Sequence, residues 1–560
     1  MPWRDACDEW AALVLHGCRV LRLRTDRGRA GMPRAAGAVL VVMGAVAVGT
    51  TSCAGAARHD QQAHVRLAGR TRLPASATSV LTGGADVVAE GVAQRLFASA
   101  PVVVVANPNR PADLAVAASQ SLRAHAPLLL TSAWSGGAAP GGKTATASRA
   151  AARTASGHSS GPAAVVSAML RAQIRALNPR AVLAVGMAGS LLAAQLPGIR
   201  VVTDPAMLPA TKAPASLSHL VVLVHHSDSD AATLAAVTTA RVAGARVIAV
   251  RGDDPRADPA AIAALAAARP RQVLAIGAGF GPAGRLASRM TVAETGVQLP
   301  GGGQILFPMR LLVALYGHAG APALGVLGQQ GLQASIARAR HVAATYRALS
   351  SVPVIPAFEI IATIAQARPG KDGDYSYVST VTSLYPWVLR ATAAGMYVIL
   401  DLQAGRASLL AQARRYQSLL KLPHVGLALD PEWKLAPRQL PLRQIGSVSI
   451  NEVNTVIRWL ADLTARYRLP QKLLVLHQFR LSMIRNEQQL DTRHDDLAIL
   501  IHMDGQGTPA EKQQTWEAIA RAAPAGVFFG WKNFYAKDHP MMSPHQTMAR
   551  TPQLSMISYQ

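Results

Sequence analysis

The feature that most constrains the fold is a series of eight short apolar segments in the C-terminal half of the chain. Each segment has the length of a β-strand, and most of the intervals between them hold a helical pattern. Eight strands that alternate with helices over about 260 residues predict a closed parallel barrel, the (β/α)8 or TIM-type fold. Because the eighth segment ends near Gln560, the predicted barrel lacks its last helix. The segments span residues 311–316, 352–358, 396–402, 424–430, 472–479, 497–503, 526–531 and 554–559.

The N-terminal half carries a different pattern, in which two stretches repeat each other. One begins at Val102 and the other at Val221, and each has a β run, a polar loop, an alanine-rich helix and a second apolar strand. A further strand follows in both, ending at Gly186 in the first copy and at Gly277 in the second. Strands that alternate with helices predict parallel α/β units of the flavodoxin or Rossmann type, and the duplication indicates a repeat module.

The composition changes after a run of three glycines at 301–303, where Trp, Tyr, Glu, Gln and Lys become more frequent. We therefore expect the α/β repeat module over residues 65–297 and the barrel over residues 301–560. Segment 136–161 is rich in Gly, Ser, Thr and Ala, a composition that predicts a flexible insertion within the first copy.

The start of the module resembles a known family. The segment RLAGRTRL, beginning at Arg66, is similar to the opening of the cell wall binding repeat 2 family, whose copies begin Arg-x-x-Gly-x-Asp-Arg-Tyr. Arg66, Gly69 and Arg72 match that pattern, whereas Thr71 and Leu73 replace the usual Asp and Tyr. The resemblance implies attachment of the chain to an anionic cell-wall polymer.

Residues 32–53 resemble a bacterial lipoprotein signal peptide. A short basic start precedes an uncharged apolar run over 35–48, which is too short to span a bilayer, and small residues lead to Cys53. The resemblance implies that Cys53 carries a lipid and holds an extracytoplasmic protein on the cell membrane; a soluble secreted protein is the alternative. Residues 54–64 are expected to be a linker, and the Arg-rich residues 1–31 an extension upstream of the true start.

The net charge of +25 has a diffuse source, because most of the 56 basic residues are arginines scattered along the chain. No run of five basic residues and no basic stripe with interleaved aromatic residues occurs, so nucleic-acid binding is disfavoured. A basic surface suits anionic envelope polymers. The three cysteines are Cys7, Cys18 and Cys53, so the fold does not depend on disulfides after Cys53.

A glycine motif in the second copy imitates a dinucleotide site. Gly279, Gly281 and Gly284 follow a strand in the spacing G-x-G-x-x-G. Such a site also needs an acidic residue about 20 positions later, and the sequence has none there. The glycines are better explained as turns of the repeat, and we predict no cofactor.

Polar and aromatic residues close nearly every barrel strand, at the end where TIM-type barrels place their chemistry. Acids and amides bond sugar hydroxyls, and flat aromatic rings stack on the apolar faces of pyranosides. This ring of side chains therefore predicts a polysaccharide site. The candidate catalytic residues are Glu359, Asp401, Asp430, Glu432 and Asp504. The candidate substrate-binding residues are Tyr316, His318, Gln403, Trp433, His477, Gln478, Gln506, Trp531, Lys532 and Tyr559.

The fourth strand ends in Asp430-Pro-Glu432, followed by Trp433. Residues two apart on a strand face the same way, so both carboxyl groups should face the barrel mouth. Two nearby carboxyl groups push their pKa values apart, and glycoside hydrolysis uses that difference. The spacing also resembles muramidases and chitinase-like barrels, which implies hydrolysis of a wall or extracellular polysaccharide. Glu432 is the predicted general acid, beside the Trp433 ring, and Asp430 is its electrostatic partner or a group that positions the nucleophile. The candidates for the second carboxylate across the mouth are Glu359, Asp401 and Asp504.

Two alternatives stay open at this stage. The chain could be a non-catalytic surface lipoprotein that binds cell-wall glycan. A divalent ion held by Asp401, Asp430 and Asp504 is also open, although we predict no metal. The barrel histidines His318, His477 and His502 lie on different units, and the sequence shows no close histidine pair among them.

Overall fold

The computed structural model describes residues 66–132 and 166–560. The expected signal peptide with Cys53, the linker and the insertion at 136–161 lie outside the described residues. In the part of the chain that is described, no helix has both the length and the apolar character needed to cross a membrane.

The C-terminal half forms a closed barrel of eight parallel strands, as the strand pattern predicted. Each strand pairs in parallel with the next along the chain, and the first also pairs with the last. A short antiparallel strand, Ser376–Val378, extends the end of the second strand. The barrel strands are β1 (Leu311–Gly317), β2 (Val354–Ala365), β3 (Tyr397–Leu402), β4 (Val425–Leu429), β5 (Lys472–Gln478), β6 (Leu497–Met503), β7 (Phe528–Asn533) and β8 (Leu554–Tyr559).

Helices follow most of the barrel strands. Their starts are set by local sequence: Ser449 caps the helix after β4, and Thr508 forms a capping box with Glu511 after β6. The connection from β5 to β6 has no α-helix and contains two short 3₁₀ turns, Leu481–Met483 and Glu487–Gln489, and a two-residue strand, Ile484–Arg485. The barrel helices are Leu332–Ala344, Val381–Ala393, Leu409–Arg415, Gln417–Leu420, Ile450–Arg466, Pro509–Ala522 and Pro544–Met548.

Side-chain alternation divides the barrel into an interior and an outer layer. The lower interior is apolar and includes Leu312, Tyr397 and Leu473, whereas the neighbouring positions on the same strands pack outward against the helices. Four residues beyond Tyr397 and Leu473, the inward side chains are those of Asp401 and His477, so the upper interior is polar. The strand period therefore places carboxyl groups and histidines together at the carboxyl end of the barrel.

The amino end of the barrel is closed by the segment that enters it. Leu299, Leu306 and Phe307 pack with the lower interior core. The buried Arg310 guanidinium donates hydrogen bonds to four backbone carbonyls of this segment, including those of Pro300 and Gly302. The expected barrel start at residue 301 thus falls inside a plug that spans residues 299–307.

The N-terminal half contains two four-stranded parallel sheets, which agree in the arrangement of three strands and differ in the origin of the strand at the far edge. In the first sheet, Val102–Ala106 lies between Leu128–Leu130 and Ala181–Val185, and Val201–Val202 forms the far edge. Along the chain, helices alternate with the strands of both sheets. The helices of this half are Ala85–Leu96, Pro111–Arg123, Ala168–Leu177, Gly189–Gln195, Ala231–Val242, Pro259–Ala268 and Ala283–Ala293.

In the second sheet, Leu220–His225 lies between Arg246–Val250 and Gln272–Ile276. Its far edge is Thr78–Leu81, a strand that precedes the whole first sheet in the chain. The second sheet is therefore completed by a strand from outside its own stretch of sequence. The chain contributes Thr78–Leu81 to the second sheet, then forms the first sheet, and afterwards returns to the second.

Charged side chains join the N-terminal half to the amino end of the barrel, and both belong to one compact unit. Asp495, which precedes β6, forms ion pairs with Arg256 at 3.0 Å and with Arg289 at 2.7 Å. The backbone of Gln304 links the backbones of Arg256 and Gln471 by hydrogen bonds of 2.7 and 2.9 Å. These contacts hold the N-terminal sheets against the end of the barrel opposite its mouth.

A glycine on β7 makes room for a histidine inside the barrel. A Cβ atom at Gly530 would overlap Nδ1 of the buried His502. We expect Gly530→Ala to lower the free energy of unfolding by about 1–3 kcal/mol, since overpacking of a core costs that much. Gly284→Ala, where the added methyl group meets open space, is the matched control. Equal denaturant midpoints for the two variants would contradict this account of the interior.

Candidate active site

A cavity of about 330 Å³, which we call the mouth cavity, opens at the carboxyl ends of the barrel strands. Its volume is within the range of small-molecule sites. Polar groups from six barrel strands or the segments after them converge there. Eight predicted site residues line it: Tyr316, Gln403, Asp430, Glu432, Trp433, Asp504, Gln506 and Lys532.

Beneath the cavity, His477 on β5 lies between two carboxylates. Its Nε2 donates to Glu359 Oε1 at 2.8 Å, and its Nδ1 donates to Asp504 Oδ2 at 3.0 Å. Asp401 Oδ1 lies 4.0 Å from Nε2. Burial lowers the pKa of His477, but the charges of Glu359 and Asp504 and their hydrogen bonds raise it well above its usual value. The ring is therefore an imidazolium that joins β2, β5 and the end of β6.

Asp401 belongs to a second chain of hydrogen bonds. The Tyr316 hydroxyl donates to Asp401 Oδ2 at 3.0 Å, and Gln403 Nε2 donates to the Tyr316 oxygen at 3.2 Å. The backbone amide of Ala365 holds the Gln403 carbonyl at 3.0 Å. Burial raises the pKa of Asp401 to about 6, although the charge of His477 acts in the opposite direction.

Asp430 and Glu432 both face the mouth cavity, but strand alternation is not the reason. β4 ends at Leu429, and Pro431–Trp433 form a 3₁₀ turn that carries Glu432 to the cavity wall. Burial, followed by the charge of Asp401, raises the pKa of Asp430 well above its usual value. Burial, followed by the charge of Asp504, raises the pKa of Glu432 to about 7.

Asp504 has the opposite electrostatic character. Burial tends to raise its pKa, but the hydrogen bond and the charge of His477 outweigh burial, so the pKa of Asp504 lies below its usual value. Its Oδ2 is held by His477, whereas its buried Oδ1 has no hydrogen-bond partner among the described residues. The cavity therefore contains one carboxyl group that is ionised and two that retain their protons more readily.

His502 lies next to His477 inside the barrel and was not among the predicted site residues. The two rings are perpendicular, with centroids 5.2 Å apart, and His502 Nε2 lies 2.7 Å from Ser558 Oγ. Burial, then the charge of His477, holds the pKa of His502 well below its usual value. Burial and the charge of His477 thus both favour a neutral His502 ring.

Three predicted binding residues face away from the mouth cavity. Trp531 packs in the outer layer, its ring 5.8 Å from that of Trp516 on the helix after β6. The Tyr559 hydroxyl lies 2.5 Å from that of Tyr346 in the same layer. Gln478 donates to Glu487 at 2.9 Å outside the barrel. Each of these residues neighbours an inward position on its strand, so alternation directs it outward.

The remaining predicted residues lie near the cavity without lining it. Glu359, Asp401 and His477 form the buried layer below it. His318 is half-buried, and its Nε2 lies 3.3 Å from Ser379 Oγ. Two aromatic residues that the sequence pattern did not single out, Phe479 and Phe534, line the cavity from the loops after β5 and β7. Their position directly after a strand was the available signal.

No group of three or more His, Cys, Asp or Glu side chains within the two described ranges is arranged to hold a metal ion. Comparison of the sequence with protein-family models and with curated proteins gives no match.

The buried ion pairs of His477 generate a stability prediction. His477→Gln leaves the carboxylates of Glu359 and Asp504 without their cation, so we expect a loss of about 3–5 kcal/mol in the free energy of unfolding. The pKa of His477 in the folded chain lies above its value of about 6.5 in the unfolded chain, so the protonated ring contributes its full stabilisation below about pH 6.5. This stabilisation declines as the pH rises through the pKa of the folded state. The difference from the parent chain should therefore shrink above about pH 6.5.

Urea denaturation across pH measures this difference. The exposed His341→Gln is the control, and the double variant Glu359→Gln/His477→Gln should lose less than the sum of the two single changes. Additive losses, or an unchanged midpoint in His477→Gln, would contradict the assigned pairing.

Proposed function

We propose that this chain is an exported protein of the cell envelope whose barrel hydrolyses a glycosidic bond in a cell-wall or extracellular polysaccharide. The observation that carries the proposal is the presence, in one cavity, of Glu432 with a raised pKa and Asp504 with a lowered one. Environments that push two carboxyl groups apart in pKa assign one to proton donation and the other to an anionic role.

Glu432 is the general acid in this proposal. Its pKa of about 7 keeps a large fraction protonated near neutral pH, as transfer of a proton to a leaving-group oxygen requires. It is only half-buried, so a substrate can reach it, and Trp433 on the same turn lines the cavity. Asp430, whose pKa is also raised, adjoins it as a second proton-bearing group.

Asp504 is the second carboxylate, ahead of the other candidates. It lines the mouth cavity in an ionised form, whereas Glu359 and Asp401 lie beneath the cavity and are bonded to His477 and Tyr316. The Asp504 Oδ1 atom, which has no hydrogen-bond partner among the described residues, can stabilise positive charge at the anomeric carbon or orient an attacking water. His477 then acts on the reaction through Asp504, by keeping that carboxylate ionised.

The walls of the mouth cavity suit a sugar ring. The aromatic faces of Trp433, Phe479 and Phe534 can stack on apolar pyranose faces, and the amides of Gln403 and Gln506 can bond hydroxyls. The same walls would serve a protein that binds glycan without cleaving it. Binding with no turnover is therefore the second candidate function, and one assay separates the two.

The envelope location belongs to the same proposal. Its support is the sequence pattern before Cys53 and the resemblance of the segment at Arg66 to cell wall binding repeats. In this proposal the N-terminal α/β module binds an anionic wall polymer, and a lipid on Cys53 anchors the chain in the membrane.

Hydrolysis of purified wall polysaccharides by the full chain tests the enzymatic function. We expect Glu432→Gln and Asp504→Asn each to lower kcat by roughly 10²–10⁴-fold, the usual contribution of an acid or base in the reaction. Activity of the parent should fall as pH rises through about 7, where Glu432 loses its proton, and Glu432→Gln should lack that decline.

The controls are Glu517→Gln and Asp462→Asn, which change exposed carboxyl groups on barrel helices in the same way. Circular dichroism verifies that all variants are folded. Unchanged turnover in both site variants would refute the assignment of the acids. Glycan binding without hydrolysis by the parent chain would establish the binding function instead.

Fractionation of a bacterial host that expresses the chain tests the envelope location. We expect the parent to sediment with membranes and Cys53→Ser to be released, because the lipid is attached through that sulfur. Cys18→Ser is the matched control and should leave the distribution unchanged. Equal membrane association of parent and Cys53→Ser would remove lipid attachment from the proposal.

A further inference from the structure

Lys532 places a cation among the carboxyl groups of the mouth cavity. The side chain is 3% exposed, and its Nζ lies 3.3 Å from the centroid of the Tyr316 ring and 5.3 Å from that of Phe534. Across the described residues, no acceptor forms a hydrogen bond with this ammonium group and no carboxylate forms an ion pair with it. Its contacts in the cavity are therefore aromatic faces alone.

An ammonium group has three N–H donors, and a buried cation without hydrogen-bond acceptors is costly. Asp504 Oδ2 is bonded to His477 and Asp401 Oδ2 to Tyr316; the Oδ1 atoms of both lack hydrogen-bond partners among the described residues, yet neither forms an ion pair with Lys532. The charge of Lys532 does act on both of them through space. Direct acceptors for its donors therefore come from what occupies the cavity, which is solvent in the free chain and a ligand in the bound state.

We infer that Lys532 binds a carboxylate carried by the sugar residue in the mouth cavity. This inference rests on the proposed glycan function and specifies its substrate class, an acidic polysaccharide. The carboxylate could belong to a uronic acid or to a lactyl ether on a hexosamine, because both place one anionic group on a pyranose ring.

Charge and environment favour a carboxylate over a hydroxyl or a phosphate. A hydrogen bond between ammonium and carboxylate is about twice as strong as one between neutral groups, and the aromatic walls strengthen it further by excluding water. A phosphate dianion would meet stronger repulsion from Asp401 and Asp504 than a single carboxylate would. A monoanion opposite one lysine is the best match.

Calorimetric binding to the full chain carrying Glu432→Gln tests this inference, because that background separates binding from turnover. Two matched pairs of probes distinguish the sources of the carboxylate. The first pair is a glucuronic acid trisaccharide and the same trisaccharide after reduction of its carboxyl groups to alcohols. The second pair is a tetrasaccharide of alternating N-acetylglucosamine and N-acetylmuramic acid, and chitotetraose, which has the same backbone without lactyl groups.

Three further substitutions in the Glu432→Gln background measure how much Lys532 contributes to carboxylate binding. Lys532→Met removes the charge and retains an unbranched chain over Tyr316, and Lys532→Arg retains the charge. Lys537→Met removes a charge from an exposed position close by in sequence and is the control. Circular dichroism and thermal denaturation confirm that each variant is folded.

We expect the carboxylate member of one pair to bind about tenfold more tightly than its neutral partner, as a single charge-assisted hydrogen bond provides. The preference should persist in Lys532→Arg and Lys537→Met and disappear in Lys532→Met. Equal affinities within both pairs, a preference that survives in Lys532→Met, or no binding of any probe would overturn the inference.

The outcomes also separate this inference from the proposed function. A lysine-dependent preference in a chain that hydrolyses no glycan supports the recognition of a carboxylate and removes the enzymatic activity. Hydrolysis of a neutral glycan, with no preference for the acidic probe, supports the activity and overturns the inference.

Discussion

The upper half of the barrel depends on one interaction, the burial of a charged His477 between Glu359 and Asp504. Burial alone would favour a neutral ring, and the two carboxylates reverse that preference. The same contacts hold Asp504 ionised and join three strands at the carboxyl end of the barrel. Burial raises the pKa values of Asp430 and Glu432, which lie closer to the opening, and the charge of His477 offsets only part of that rise. The electrostatic difference across the cavity thus combines burial near the opening with the His477 charge beneath it.

This arrangement requires stability from elsewhere in the fold. Carboxyl groups with pKa values raised by burial destabilise the folded chain as pH rises above their unfolded values, because the unfolded chain ionises first. The lower interior of the barrel compensates with a fully apolar core that is closed by Leu299, Leu306 and Phe307. The barrel interior therefore has an apolar half, which stabilises the fold, and a polar half, where buried ionisable groups lie close together.

The period of the apolar segments was sufficient to predict the barrel, since each strand was visible as an isolated run. Tyr316 and Asp401, like Trp531 and Tyr559, were selected only as residues at strand ends; the first two lie inside the barrel, whereas Trp531 and Tyr559 pack outward. Alternation was argued only for Asp430 and Glu432, and there a turn, not alternation, brings Glu432 to the cavity. The Asp430-Pro431 dipeptide was a local signal for a turn that the interpretation as a strand end overlooked. Local sequence could not reveal that His477 would be charged, because that charge depends on contacts between distant strands.

The connection between the two halves bears on how such a chain could act on a polymer. Asp495, Gln304 and the plug at 299–307 all lie at the amino end of the barrel, so the N-terminal sheets face away from the mouth cavity. The buried Arg310 and its carbonyl partners make this junction a packed interface and not a loose tether. Under the proposed function, a polymer bound by the sheets and the polymer in the cavity would therefore be different segments or different molecules.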